Sequence, residues 1–244
     1  MLNSYSTAIE IRDSHVDTAI LPIGSTEQHG PHLPIATDCL IGEAVARRVA
    51  DRLGAFLLPV LPISTCQEHM ISKGSVGLSP DTFYYMVRDI VLCLKRQGFK
   101  TIILMISHGG VFMANPTVRE LNATNSDIRV IKVDLVQFID SPEVSSVLEC
   151  KNNLHACEFE TSLILFLKEE LVRKDKIADC EPDVPRDYLN YGNIFKYSKT
   201  GVWGKPSLAT KEKGERIMDL LVDLSIDYIN KVKEIPGGYG ENEK

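Results

Sequence analysis

Basic residues are outnumbered in this 244-residue chain: 27 lysines and arginines face 33 acids, for a formal net charge of −6. That balance argues against a general nucleic-acid partner, which takes a basic surface. It leaves room for a small anionic substrate in a local basic pocket. None of the six cysteines, Cys39, Cys66, Cys93, Cys150, Cys157 and Cys180, has a CxxC partner. Reduced thiols, several of them buried, are the expectation. No run approaches the ~18 apolar residues of a membrane helix. The opening stretch, MLNSYSTAIEIRDSHVD, has no apolar core of signal-peptide length. A soluble, cytoplasmic protein with no membrane partner is expected. Repeats, low-complexity blocks and linkers are missing as well, so residues 1–244 read as one domain. Hydrophobic residues make up 44%, enough for a core that needs no disulfide or structural metal to fold.

Patterning supplies the elements. Asp17 to Ser25, DTAILPIGS, is an apolar run ending in Gly and Ser, a buried strand entering a loop. Asp38 to Leu53 carries Ile41, Ala44, Val45 and Val49 at helical spacing. Phe56 to Ile63 is a second apolar run, broken by Pro59 and Pro62, and a Ser/Gly-rich loop spans 64–79. Pro80 and Asp81 open a helix to about Gln97, stopped by Gly98. Lys100 to Ile106 is a strand, 115–125 a helix, 128–133 a strand, 158–172 a helix, and 211–233 a long amphipathic helix. Strands alternating with helices predict an α/β fold with a mainly parallel sheet covered on both faces. Residues 180–206, rich in Pro, Tyr, Asn and Gly, form either an ordered excursion near the site or a surface loop.

Three segments carry candidate chemistry. In Glu27-Gln-His29 the acid and the imidazole are two apart, so an extended chain points both one way. Asp38 follows where a helix begins, placed to bridge two ions or merely to cap the helix. The strand 100–106 runs into Ser107-His108-Gly109-Gly110. Neutral imidazole is the commonest metal-binding side chain, and glycines let backbone approach an ion or substrate. His155-Ala-Cys-Glu158-Phe-Glu160 opens a helix with one histidine and two acids. Helical spacing would put His155 and Glu158 on one face, where the acid could orient the ring. Cys157 reads as a buried bystander. Ser72 and Ser75 are candidates for orienting substrate, or simply polar loop residues.

Together the stretches LPIGSTEQHGPHLPIATD at 21–38, SHGG at 107–110, HACEFETS at 155–162 and TGVWGKPSLATKEKGE at 200–215 resemble the creatininase family. The resemblance implies a three-layer α/β/α sandwich, a homohexamer, and a hydrolytic site with two divalent ions, zinc, manganese or iron. By position it implies Glu27 and His108 on one ion, His29 on the other, and Asp38 between them. In creatininase an acid stands two residues after the strand-end histidine; here that position is Gly110. Glu160 is the preferred replacement and Glu158 the second. His155 matches a histidine that contacts substrate or moves a proton. The expected reaction is hydrolysis of a small cyclic amide or formamide, with room for substrate at Gly109 and Gly110. Alternatives are a peptidase for a modified peptide, a non-hydrolytic sugar or polyol enzyme, and a binding protein on the same scaffold.

Overall fold

The computed structural model describes residues 1–236; the last eight positions of the expected 1–244 domain lie outside the described residues. In chain order the elements are α1 (Ala8–Asp13), β1 (Thr18–Ile23), α2 (Thr37–Leu53), β2 (Phe56–Leu57), α3 (Pro80–Arg96), β3 (Thr101–Ile106), α4 (Ala114–Thr124), β4 (Arg129–Asp134), α5 (Pro142–Ser145), α6 (Glu158–Lys168) and α7 (Lys211–Lys233). The four strands form one parallel sheet in the order β2-β1-β3-β4.

Period-two alternation divides the sheet between two cores. Ile20, Ile103, Met105, Ile131 and Val133 face a core shared with α2, α6 and α7. Ala19, Leu21, Ile23, Ile102, Leu104, Ile106 and Val130 face one shared with α3 and α4. Both faces are covered, which is why β1 and β3 read as continuous apolar runs. The expected three-layer α/β/α arrangement is present.

Two elements are shorter than the sequence suggests. The apolar run 56–63 gives only the two-residue β2, plus an isolated bridge from Leu61 to Ile23. Pro59 and Pro62 have no N–H to give a ladder, so pairing stops. The helix expected over 158–172 ends at Lys168 and tightens into a 3-10 turn at Glu169–Leu171.

β1 and β3 are neighbours, with Ile23 opposite Ile106. Both strands therefore release their loops side by side at their carboxyl ends, where open α/β sheets place ligand sites.

Candidate metal centre

The loop after β1 carries Glu27 and His29, both fully buried. Ser25 Oγ donates to Glu27 Oε2 at 2.8 Å. His29 Nδ1 donates to the Glu27 carbonyl at 3.1 Å, which leaves its Nε2 as the free face. That Nε2 lies 3.3 Å from Asp38 Oδ1 and 3.7 Å from Glu160 Oε1. Asp38 stands in the first turn of α2, whose N-cap is Ala36, so it is not a helix cap. Its carboxylate is 1% exposed. Ser107 Oγ, from the end of β3, donates to its carbonyl at 2.8 Å and ties α2 to that strand. His108 reaches both acids, Nε2 at 3.1 Å from Glu27 Oε2 and Nδ1 at 3.4 Å from Asp38 Oδ2.

Ligand-type atoms thus gather in three groups, each within 4.8 Å: Glu27–Asp38–His108, His29–Asp38–Glu160 and Glu27–His29–His155. Asp38 belongs to two of them. Five of the atoms, Glu27 Oε1, His29 Nε2, Asp38 Oδ2, His108 Nε2 and Glu160 Oε2, are buried without a hydrogen-bond partner. Unpartnered polar atoms are costly in a dry interior. A cation is the partner that acids and imidazoles share, and His29 Nε2 and His108 Nε2 lie 3.3 Å and 3.1 Å from the carboxylates of Asp38 and Glu27. The residues present fit divalent metal.

The electrostatics agree. Burial would hold His29 and His108 neutral, but the facing carboxylates outweigh it. Asp38 and Glu160 push His29 well up, and Glu27 and Asp38 push His108 up to about 9. Burial lifts Glu27 to about 6. Glu160 falls to about 2 despite burial, because His29 lies beside it. Burial and the charge on His29 take His155 down to about 3, so that ring is neutral.

Glu158 does not join the centre. The helix begins only at Glu158, after Ala156 takes φ 48° and Cys157 is extended, so His155 never shares a helical face with it. His155 instead lies in a bridge with Trp203. The Glu158 carboxylate turns away, accepting from Cys150 N at 2.8 Å, Glu149 N at 3.0 Å and Lys213 Nζ at 2.5 Å. The expected bond from Glu158 to the His155 ring is therefore absent among the described residues. Burial raises the Cys157 thiol well up, which keeps it protonated and unreactive.

Ser75 is near but occupied: its Oγ accepts the Gln28 N–H at 2.9 Å. Ser72 contributes its backbone N–H to the His69 carbonyl, and among the described residues no hydroxyl contact brings its side chain to the centre. Gly109 is exposed at the rim, and its carbonyl accepts from Arg186 at 2.8 Å. Gly110 is buried and has no room for a side chain. A Cβ there would lie 2.4 Å from His108 Nε2 and 2.5 Å from Glu68 Oε1.

Sequence reasoning missed His69, in the loop read only as Ser/Gly-rich. It is buried, with Nε2 3.3 Å from Glu27 Oε1 and its ring stacked 4.2 Å from that of His155. The available signal was an acid–histidine pair, Glu68-His69, soon after a second apolar run. Residues 180–206 pack onto the site. Ile194 N donates to the Glu68 carbonyl at 3.1 Å, and Gly201 and Val202 lie against Gln28 and Gly30.

A family model described as creatinine amidohydrolase matches residues 4–229. The creatinine amidohydrolase of Pseudomonas putida is 30% identical over 233 residues, 87% of this chain and 88% of its own. A mycofactocin precursor peptide peptidase of Mycobacterium ulcerans is 28% identical over 240 residues, 90% of this chain and 87% of its own. A solved manganese form of creatininase superposes with a TM-score of 0.82 at 27% identity, covering 96% of this chain and 99% of that one.

Proposed function

The chain belongs to the creatininase family of metal-dependent amidohydrolases, and from that premise we propose that it opens a small cyclic amide or formamide at two divalent ions. In this reading Glu27 and His108 would hold one ion, His29 and Glu160 would hold the other, and Asp38 would serve both. The observation that carries it is the convergence of five buried, unpartnered ligand atoms from four separate segments. When bound, such ions lower the pKa of water toward neutrality and polarise an amide carbonyl.

The chain's own residues do the rest. His29 is aimed by its Nδ1–H bond to the Glu27 carbonyl, the backbone anchoring that metal-binding imidazoles use. His155, neutral and 3.8 Å from Glu27 Oε1, accepts the proton released by the attacking water and returns it to the leaving nitrogen. The exposed backbone of Gly109, beside His108, offers the substrate an approach. Glu160, not Glu158, supplies the acid that Gly110 lacks. Ser75 supports the loop through Gln28 and leaves substrate alone.

Residues 1–244 would act as one domain within a cytoplasmic assembly of six copies, the number following the family resemblance. No helix among the described residues is long and apolar enough to cross a membrane. Elemental analysis of protein purified without chelator tests the centre directly: up to two equivalents of zinc or manganese per chain are expected. Protein that stays metal-free after incubation with both metals would refute the ligand set. A release screen for amine and formate, run against cyclic amides, formamides and short peptides, then separates the substrate classes.

A further inference from the structure

Gln28 lies between the two ligands Glu27 and His29, yet its side chain faces a pair of histidines. Its amide is 7% exposed and its orientation is fixed from both sides. Gly30 N donates to Oε1 at 2.9 Å, so Oε1 is the oxygen and Nε2 the donor. Gly201, at φ +77°, passes so close that a Cβ there would sit 2.2 Å from Oε1 and 2.8 Å from Nε2. The strap from 180–206 thus clamps the amide in place, and only glycine permits the approach.

Counting protons then settles the ring tautomers. The Gln28 amide has two hydrogens. Nδ1 of His69 lies 2.9 Å from Nε2 and the Gly201 carbonyl lies 3.4 Å from it. His155 Nε2 is 3.1 Å from the same nitrogen but only 2.7 Å from the main-chain carbonyl oxygen of Gln28. A carbonyl oxygen accepts only, so the shorter contact requires the proton to be on His155 Nε2. The two amide hydrogens go to His69 Nδ1 and Gly201. His69 must then carry its proton on Nε2, the atom facing Glu27 Oε1 at 3.3 Å.

We propose that Gln28 is a positioning residue that, clamped by Gly30 and Gly201, holds His69 in the Nε2–H tautomer, while its own carbonyl holds His155 in the same tautomer. Two consequences follow. His69 turns a positive edge toward Glu27, steadying that carboxylate. His155 presents a bare Nδ1 to the Glu27–His29 side of the centre, so it must receive a proton before it can give one. The role of this order in turnover rests on the metal-hydrolase reading; the tautomers themselves do not.

The test is long-range proton–nitrogen correlation NMR on 15N-histidine-labelled full chain, metal-free and zinc-loaded, with zinc content measured on the same samples. Both His69 and His155 should show a protonated Nε2 and a bare Nδ1 in the metal-free protein. In Gln28→Glu the donor becomes an acceptor, so His69 should move its proton to Nδ1 while His155 keeps its pattern. Gly201→Ala, which displaces the amide without removing it, should give His69 a mixture of the two forms. A wild-type His69 protonated at Nδ1, or an unchanged His69 signature in the variants that fold, overturns the proposal. If wild-type protein shows the predicted tautomers but takes up no zinc, the clamp stands and the metal reading fails.

Discussion

Replacing Glu158 by glutamine should damage stability and spare the metal centre. Glu158 is completely buried at the start of α6. It accepts from Cys150 N at 2.8 Å, from Glu149 N at 3.0 Å and from Lys213 Nζ at 2.5 Å. Glutamine keeps the shape but has one accepting oxygen in place of two, and its NH2 would face donors. Hydrogen bonds to charged groups contribute about 1.5–3 kcal/mol each, and breaking a buried ion pair costs about 3–5 kcal/mol. The upper end does not apply, because Lys213 keeps the Glu149 carboxylate at 2.6 Å and the Leu208 carbonyl at 2.8 Å. A loss of about 2–3 kcal/mol is expected from these ranges. For a chain of this size that lowers Tm by about 5–10 °C. Thermal melting and urea titration measure the loss, and elemental analysis on the same sample measures the metal. Glu160→Gln should act on the metal instead, losing one of the two ions. The reasoning fails if Glu158→Gln melts like wild type, or if it sheds metal while Glu160→Gln retains it.

Asp38→Ala removes the carboxylate shared by the Glu27–His108 and His29–Glu160 groups; uptake of both ions and turnover should fall below detection, while circular dichroism shows the fold intact. Metal binding should release protons: the carboxylates hold His108 up at about 9 and His29 higher than usual, so below about pH 9 a cation must displace the His108 proton. Apparent zinc affinity should therefore rise with pH up to at least about pH 9, and calorimetry in buffers of different ionisation enthalpy would expose a flat profile as a contradiction. Gly110→Ala places a methyl 2.4 Å from His108 Nε2; occupancy of the Glu27–His108 ion should drop, and full occupancy would mean the turn has slack the geometry denies. Gly214→Ala puts a Cβ 1.9 Å from the Ser162 carbonyl where α7 crosses α6; overpacking should cost about 1–3 kcal/mol in urea titration with metal content unchanged.

Much of this was legible in one dimension. The alternation of apolar runs with amphipathic stretches predicted a covered parallel sheet, because β1 and β3 are buried on both faces and helices show a 3.6-residue stripe. Glu27 and His29 were readable because i and i+2 in an extended loop point alike. Asp38 and His108 were candidates because they stand at element ends, where α/β sheets place ligand sites. The reading of Glu158 failed because helical spacing was applied across His155, which lies before the helix, and Ala156 at φ 48° breaks the periodicity. His69 was missed because the Glu68-His69 pair, though present in the sequence, does not say what its loop folds against.

What the sequence determined by itself was local and periodic: which runs are strands, which faces are apolar, and which residue types stand where strands end. Those properties depend on neighbours a few positions apart, and side-chain chemistry fixes them. Only the tertiary structure decided which acid meets which imidazole. His29 faces Glu160 across 131 positions of chain, while Lys213 claims Glu158 from α7. The strap 180–206 comes back to clamp Gln28 through Gly201. Contacts of that kind are set by how the helix layers pack on the two faces of the sheet, and no spacing rule along the chain encodes them.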